Sequence, residues 1–143
     1  MPDPQTCCMQ ADQLSLTAVL ERWSAEDTSR RSVATVIEAI ANAGVRLASA
    51  IAVAPLTAPA EPIADTAHPG ANASGDEQKP MDLYAEEVVI QALTGLEVAA
   101  VCSEESDEAV PLTEGGRWVV AIDPVDGSSN LDVNAPIGTI FAI

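Results

Sequence analysis

Three features of the sequence predict an α/β fold. Apolar residues recur at helical spacing through the first third of the chain, a second helical stretch covers 83–93, and two short β-branched runs, 96–102 and 117–122, read as strands. Apolar runs of this unbroken kind belong to strands buried within a helix-covered sheet rather than to a sheet that faces water. A length of 143 residues suits one ordinary domain, and 48% hydrophobic content suffices for its core.

The helical region covers about 14–52. Leu14 to Trp23 form a short helix, and Asp27 or Thr28 caps a longer one in which Val33, Val36, Ile37, Ile40, Leu47, Ala48 and Ile51 make a core-facing stripe. About 55–80 is a long loop rich in Ala and Pro, of the length that often carries function. A helix and strands fill about 82–143. Asp76 and Asp82 stand just ahead of a helix from about Leu83 to Leu93, whose Tyr84, Val88 and Leu93 favour one face, and either acid can be a cap or a ligand. Leu96 to Cys102 is the first strand and delivers Ser103, Glu104 and Glu105 at its end; Cys102 is expected to be buried. Arg117 to Ile122 is the second strand, and Pro124, lacking an N–H, stops the ladder just after Asp123. A last apolar run, Ile140 to Ile143, has no polar turn to finish it, so the chain is expected to be part of a larger domain and prone to aggregate alone.

Asp123 therefore lies at a strand's carboxyl end, where ligands bind in open α/β sheets. A turn at Pro124 and Val125 can bring Asp126 back beside it, and Gly127 permits the tight path into Ser128, Ser129 and Asn130. Carboxylates held that close raise one another's pKa unless a cation sits between them. Oxygen-only ligands select magnesium, manganese or calcium over zinc, and the N–H and O–H donors of 127–130 suit phosphate oxygens. This is the chemistry of a metal-dependent phosphatase; a polar surface turn is the other reading of the same residues.

The segment Asp123-Pro-Val-Asp-Gly-Ser-Ser-Asn-Leu-Asp132, followed by Ile137-Gly-Thr-Ile-Phe141 and preceded by Ser103-Glu-Glu105, resembles the class 1 fructose-1,6-bisphosphatases. The Asp-Pro-x-Asp-Gly core is shared with the wider sugar and inositol phosphatase superfamily, whereas the Ser-Ser-Asn extension and the Gly-Thr-Ile-Phe strand favour the bisphosphatase branch. Gly75-Asp76-Glu-Gln-Lys-Pro-Met-Asp82 is similar to that family's Gly-Asp-Gln-x-Lys-x-Leu-Asp segment. The likeness is specific from about Gly75 to Ile143 and general before it.

The resemblance implies the amino-terminal portion of a layered α-β-α-β-α sugar phosphatase fold. It implies that Asp76, Glu104, Glu105, Asp123 and Asp126, with the carbonyl of Val125, hold two or more Mg²⁺ ions, with Mn²⁺ as a substitute. Asp126, Gly127, Ser128 and Ser129 would lie against the 1-phosphate of a sugar bisphosphate, and Asp82 with Glu105 would orient and deprotonate the attacking water. The implied reaction converts fructose 1,6-bisphosphate to fructose 6-phosphate, in gluconeogenesis or the Calvin cycle. The family's sugar-binding half is absent, so the chain is expected to be inactive alone. The family also implies a homo-oligomer at full length and, in some members, an inhibitory nucleotide among the amino-terminal helices. Sedoheptulose bisphosphate or an inositol phosphate as substrate stays open, as does a metal-binding fragment without catalysis.

Twenty-two acidic residues against six basic ones give a net charge of −16, and after Arg46 the only basic residues are Lys79 and Arg117. Such a surface argues against nucleic acid or anionic membrane as partners and requires cations to offset a bisphosphate. Cys7, Cys8 and Cys102 fit neither a zinc ribbon nor a disulfide framework, which points to a reduced, cytoplasmic setting. Met1-Pro-Asp-Pro is no leader, and Glu38 and Arg46 interrupt the only long apolar stretch, so no membrane span is expected. The lone His68 has no companion for metal or triad chemistry. A calcium loop starting at Asp126 fails, because Leu131 and Ile137 stand where its glycine and bidentate glutamate belong.

Overall fold

A computed structural model describes residues 15–57, 80–133 and 135–143. Three helices, α1 (Leu16–Ser24), α2 (Thr28–Thr57) and α3 (Pro80–Leu93), precede a sheet of β1 (Val98–Ser103), β2 (Val110–Pro111), β3 (Trp118–Asp126) and β4 (Gly138–Ala142). The strand order is β2-β1-β3-β4. β1 and β3 run parallel at the centre, and β2 and β4 flank them antiparallel.

The helices start where local chemistry lets them. Ser15 caps α1 by accepting a hydrogen bond from the Ala18 N–H at 3.2 Å. Asp27 caps α2, as its sequence suggests, accepting from the N–H groups of Ser29 and Arg30 at 2.8 and 3.1 Å. These bonds, that of Arg30 above all, hold the Asp27 carboxyl below its usual pKa. α2 runs to Thr57, past the expected end near 52 and through Pro55. α3 begins at Pro80 rather than Leu83, since proline lacks only an N–H that a first turn cannot use. Asp82 therefore sits inside the first turn of α3.

Val36, Ile40, Ala43 and Leu47 of α2 recur at helical spacing and join Ala85, Val88, Val89 and Leu93 of α3, which in turn packs on Val98, Val101, Val120 and Ile122 of the sheet. The face of α3 differs from the expected one: Ala85 is fully buried while Tyr84 is 41% exposed. The small Ala85 lets the helix backbone approach the strands, and the bulky Tyr84 falls at the edge of the stripe. Residues 28–53 of α2 are long and apolar enough to cross a membrane by length and composition, in contrast to the sequence reading.

Two expectations for the strands are corrected. Pro124 does not stop β3, which continues to Asp126. The β3–β4 register shifts between Asp123 and Asp126, and at that bulge the proline is not required to donate. Nor do the described residues cover the strands on both faces: along β3 buried and open positions alternate, leaving Val119 51% exposed. Cys102, paired with Ala121, is exposed on the same open face. Ile140 of β4 is 59% exposed.

Candidate active site

Parallel pairing sets the geometry of the acidic site. Ser103 of β1 is in register with Ile122 of β3, and the Glu104 N–H continues the ladder to the Ile122 carbonyl at 3.0 Å. Glu104 thus leaves the carboxyl end of β1 beside Asp123, which lies within β3 three residues before its end. Their side chains meet. Asp123 has its pKa raised to about 6, first by burial, then by a hydrogen bond with Glu104 and by that residue's charge. The Val125 N–H, donating to Asp123 Oδ1 at 3.0 Å, acts in the opposite sense, and the charge of Asp126 adds a smaller upward push.

The remaining candidates surround this pair unequally. Asp126 is exposed at the end of β3, and the side chain of Val125 is buried in the core. Gly127 follows at φ +80°, a left-handed conformation that side chains disfavour. Ser128 opens a 3₁₀ turn (Ser128–Val133), in which Ser129 is exposed. Asn130 does not face outward as a donor: its N–H bonds to the Gly127 carbonyl at 2.8 Å and its Nδ2 to the Pro136 carbonyl at 2.8 Å. Glu105 is half-buried, with its N–H on Ser103 Oγ at 3.2 Å. Asp82 is buried in α3. Asp76 lies outside the described residues.

Among the described residues, no three His, Cys, Asp or Glu side chains form an assembled cation cage. What is formed is a carboxylate pair of oxygen donors with a third acid within electrostatic reach. Burial first, and the neighbouring acids second, disfavour the charged form of Asp123; a hard divalent cation would offset both, and the all-oxygen donor set fits Mg²⁺ or Mn²⁺.

Several supporting contacts carry no signal at the level of composition or periodicity. The Thr139 hydroxyl donates to the Pro124 carbonyl at 2.9 Å and pins β4 to the bulge. Gly116 is needed because a Cβ there would lie 2.4 Å from the Ala99 backbone nitrogen. A cleft of about 330 Å³ is lined by Thr28, Arg31, Ser32 and Thr35 of α2 with Gly95, Leu96 and Glu97. It lies at the other end of β1 and β3 from the acids, so it is no part of the acidic site.

Residues 15–143 match the family model described as "Fructose-1-6-bisphosphatase, N-terminal domain". The chain is 46% identical over 131 residues to a class 1 fructose-1,6-bisphosphatase of Azorhizobium caulinodans, covering 92% of this chain and 39% of that one. It is 43% identical over 133 residues to one from Xanthobacter autotrophicus, covering 93% of this chain and 40% of the relative. The holo crystal structure of Leishmania major fructose-1,6-bisphosphatase superposes with a TM-score of 0.66 at 25% identity, over 89% of this chain and 37% of the other. The chain spans about two fifths of the length of these curated relatives. With that match across helices, sheet and acidic strand ends, the chain belongs to the fructose-1,6-bisphosphatase family, as its amino-terminal domain.

Proposed function

We propose that this chain supplies the metal-binding portion of an enzyme that hydrolyses the 1-phosphate of fructose 1,6-bisphosphate. The observation that carries the reading is the meeting of Glu104 and Asp123 across the parallel β1–β3 pair, with Asp123 held near pKa 6. Family membership supplies the substrate class.

In this reading Glu104, Glu105, Asp123, Asp126, the Val125 carbonyl and Asp76 hold two or more Mg²⁺ ions, Mn²⁺ serving in their place. Such ions neutralise phosphoryl charge and lower the pKa of water. Asp82 and Glu105 orient a water and take its proton as its oxygen forms the new bond to phosphorus. The bond from phosphorus to the C1 oxygen breaks, and inorganic phosphate and fructose 6-phosphate leave. Asp126, Gly127, Ser128 and Ser129 bind the 1-phosphate oxygens. Residues 1–143 are then one portion of a larger catalytic domain whose other portion holds the sugar, and the complete protein is a cytoplasmic homo-oligomer acting in gluconeogenesis or the Calvin cycle. Alone, the chain has little activity, because after Arg46 only Lys79 and Arg117 oppose the charge of a bisphosphate.

The test is phosphate release by the complete protein carrying this segment. Asp123→Asn and Asp126→Asn each lower Mg²⁺-dependent hydrolysis at least about a thousandfold, with far-UV circular dichroism unchanged. Wild-type turnover in either variant overturns the assignment.

A further inference from the structure

The turn that carries Glu104 and Glu105 is tied to α3 by a side-chain hydrogen bond. The Ser106 hydroxyl donates to Glu86 Oε1 at 2.7 Å, a half-buried bond between residues twenty apart in sequence. Glu86 lies four residues after Asp82, one helical turn along α3. On the strand side, the Glu105 N–H is held by Ser103 Oγ at 3.2 Å. The start of the turn is held to both central strands, by this bond and by the Glu104 N–H on the Ile122 carbonyl at 3.0 Å, while the Ser106–Glu86 bond holds its far end to the helix that carries Asp82. Without the Ser106–Glu86 bond, the part of the turn beyond Glu104 would lose this tie to α3, and the Glu105 carboxylate could shift relative to Asp82.

From this geometry we infer that Glu86 and Ser106 are positioning residues: their hydrogen bond sets the distance between the Glu104–Glu105 turn and α3, and hence presents the acids in a metal-ready arrangement. The inference rests on the proposed function and deepens it. Glu86 acts through its acceptor oxygen and not as a ligand. Its charge is then dispensable and its hydrogen bond is not, which separates it from the metal-holding carboxylates.

The experiment measures Mn²⁺ binding to the complete protein carrying this segment by the electron paramagnetic resonance of free Mn²⁺, with metal-free thermal unfolding as the check on folding. Ser106→Ala and Glu86→Ala each weaken binding about tenfold, and the double variant is no weaker than either single, because both delete one bond. Glu86→Gln, which keeps the acceptor, and Ser106→Thr, which keeps the donor, bind within about twofold of wild type. Losses that multiply in the double variant, or a Glu86→Gln chain as weak as Glu86→Ala, overturn the inference. So does unchanged binding in both alanine variants, and that result leaves the proposed function standing. A complete wild-type protein that binds no Mn²⁺ at millimolar concentration overturns the proposed function, and this inference with it.

Discussion

At the scale of single residues, Asp123 responds most to conditions. Its folded pKa is raised from 3.8 to about 6, so between those values the folded chain holds a proton that the unfolded chain has released. The unfolding free energy therefore falls as pH rises through that window and levels off above about 6. In EDTA, the urea midpoint is expected to be higher at pH 4.5 than at pH 7, and Asp123→Asn removes this part of the dependence. Gly116 acts through space rather than charge. A Cβ there meets the Ala99 nitrogen at 2.4 Å and the Val98 carbonyl carbon at 2.6 Å, both backbone atoms that cannot yield cheaply. Gly116→Ala is expected to cost about 2–4 kcal/mol in equilibrium unfolding. The acids were legible in the sequence because their strands are apolar runs that end abruptly in Glu or Asp. Gly116 was not legible, since its need arises from a neighbouring strand.

At the scale of elements, each helix and the two central strands could be read from periodicity and caps, and each error has its own cause. Tyr84 read as part of the buried face of α3 because bulk counts heavily in a hydrophobic pattern, whereas the packing selects the small Ala85. Pro124 read as a strand stop because ladder donors are assumed at every position, and the bulge removes that demand. The α3 assignment can be checked directly. Leu93→Ala, at a fully buried position, is expected to cost about 2–5 kcal/mol, while Tyr84→Ala at the edge costs less than about 1 kcal/mol. Urea unfolding of the two variants discriminates the buried face observed from the one the sequence suggests.

For the whole molecule, one sheet face carries the helices and the other is open among the described residues, with Val119 and Ile140 more than half exposed. Sequence reading took both strands as buried on two sides because an unbroken apolar run does not say how much of its cover lies in the same chain. An apolar sheet face beside the edge strand β4 favours self-association, which the net charge of −16 opposes at low salt. Ile140→Lys is expected to lower light scattering by the chain at high salt severalfold while leaving its unfolding midpoint nearly unchanged, because the position is already open.

Glu104 and Asp123 are nineteen residues apart and become neighbours only when β1 docks on β3, with β2 lying in the intervening chain. Long-range parallel pairing of this kind is slow to nucleate. The carboxylate pair thus comes into being late along the folding route, and an ion held there as proposed would grip little before the native state is nearly complete. Its stabilisation would be felt as a longer native lifetime and not as quicker folding.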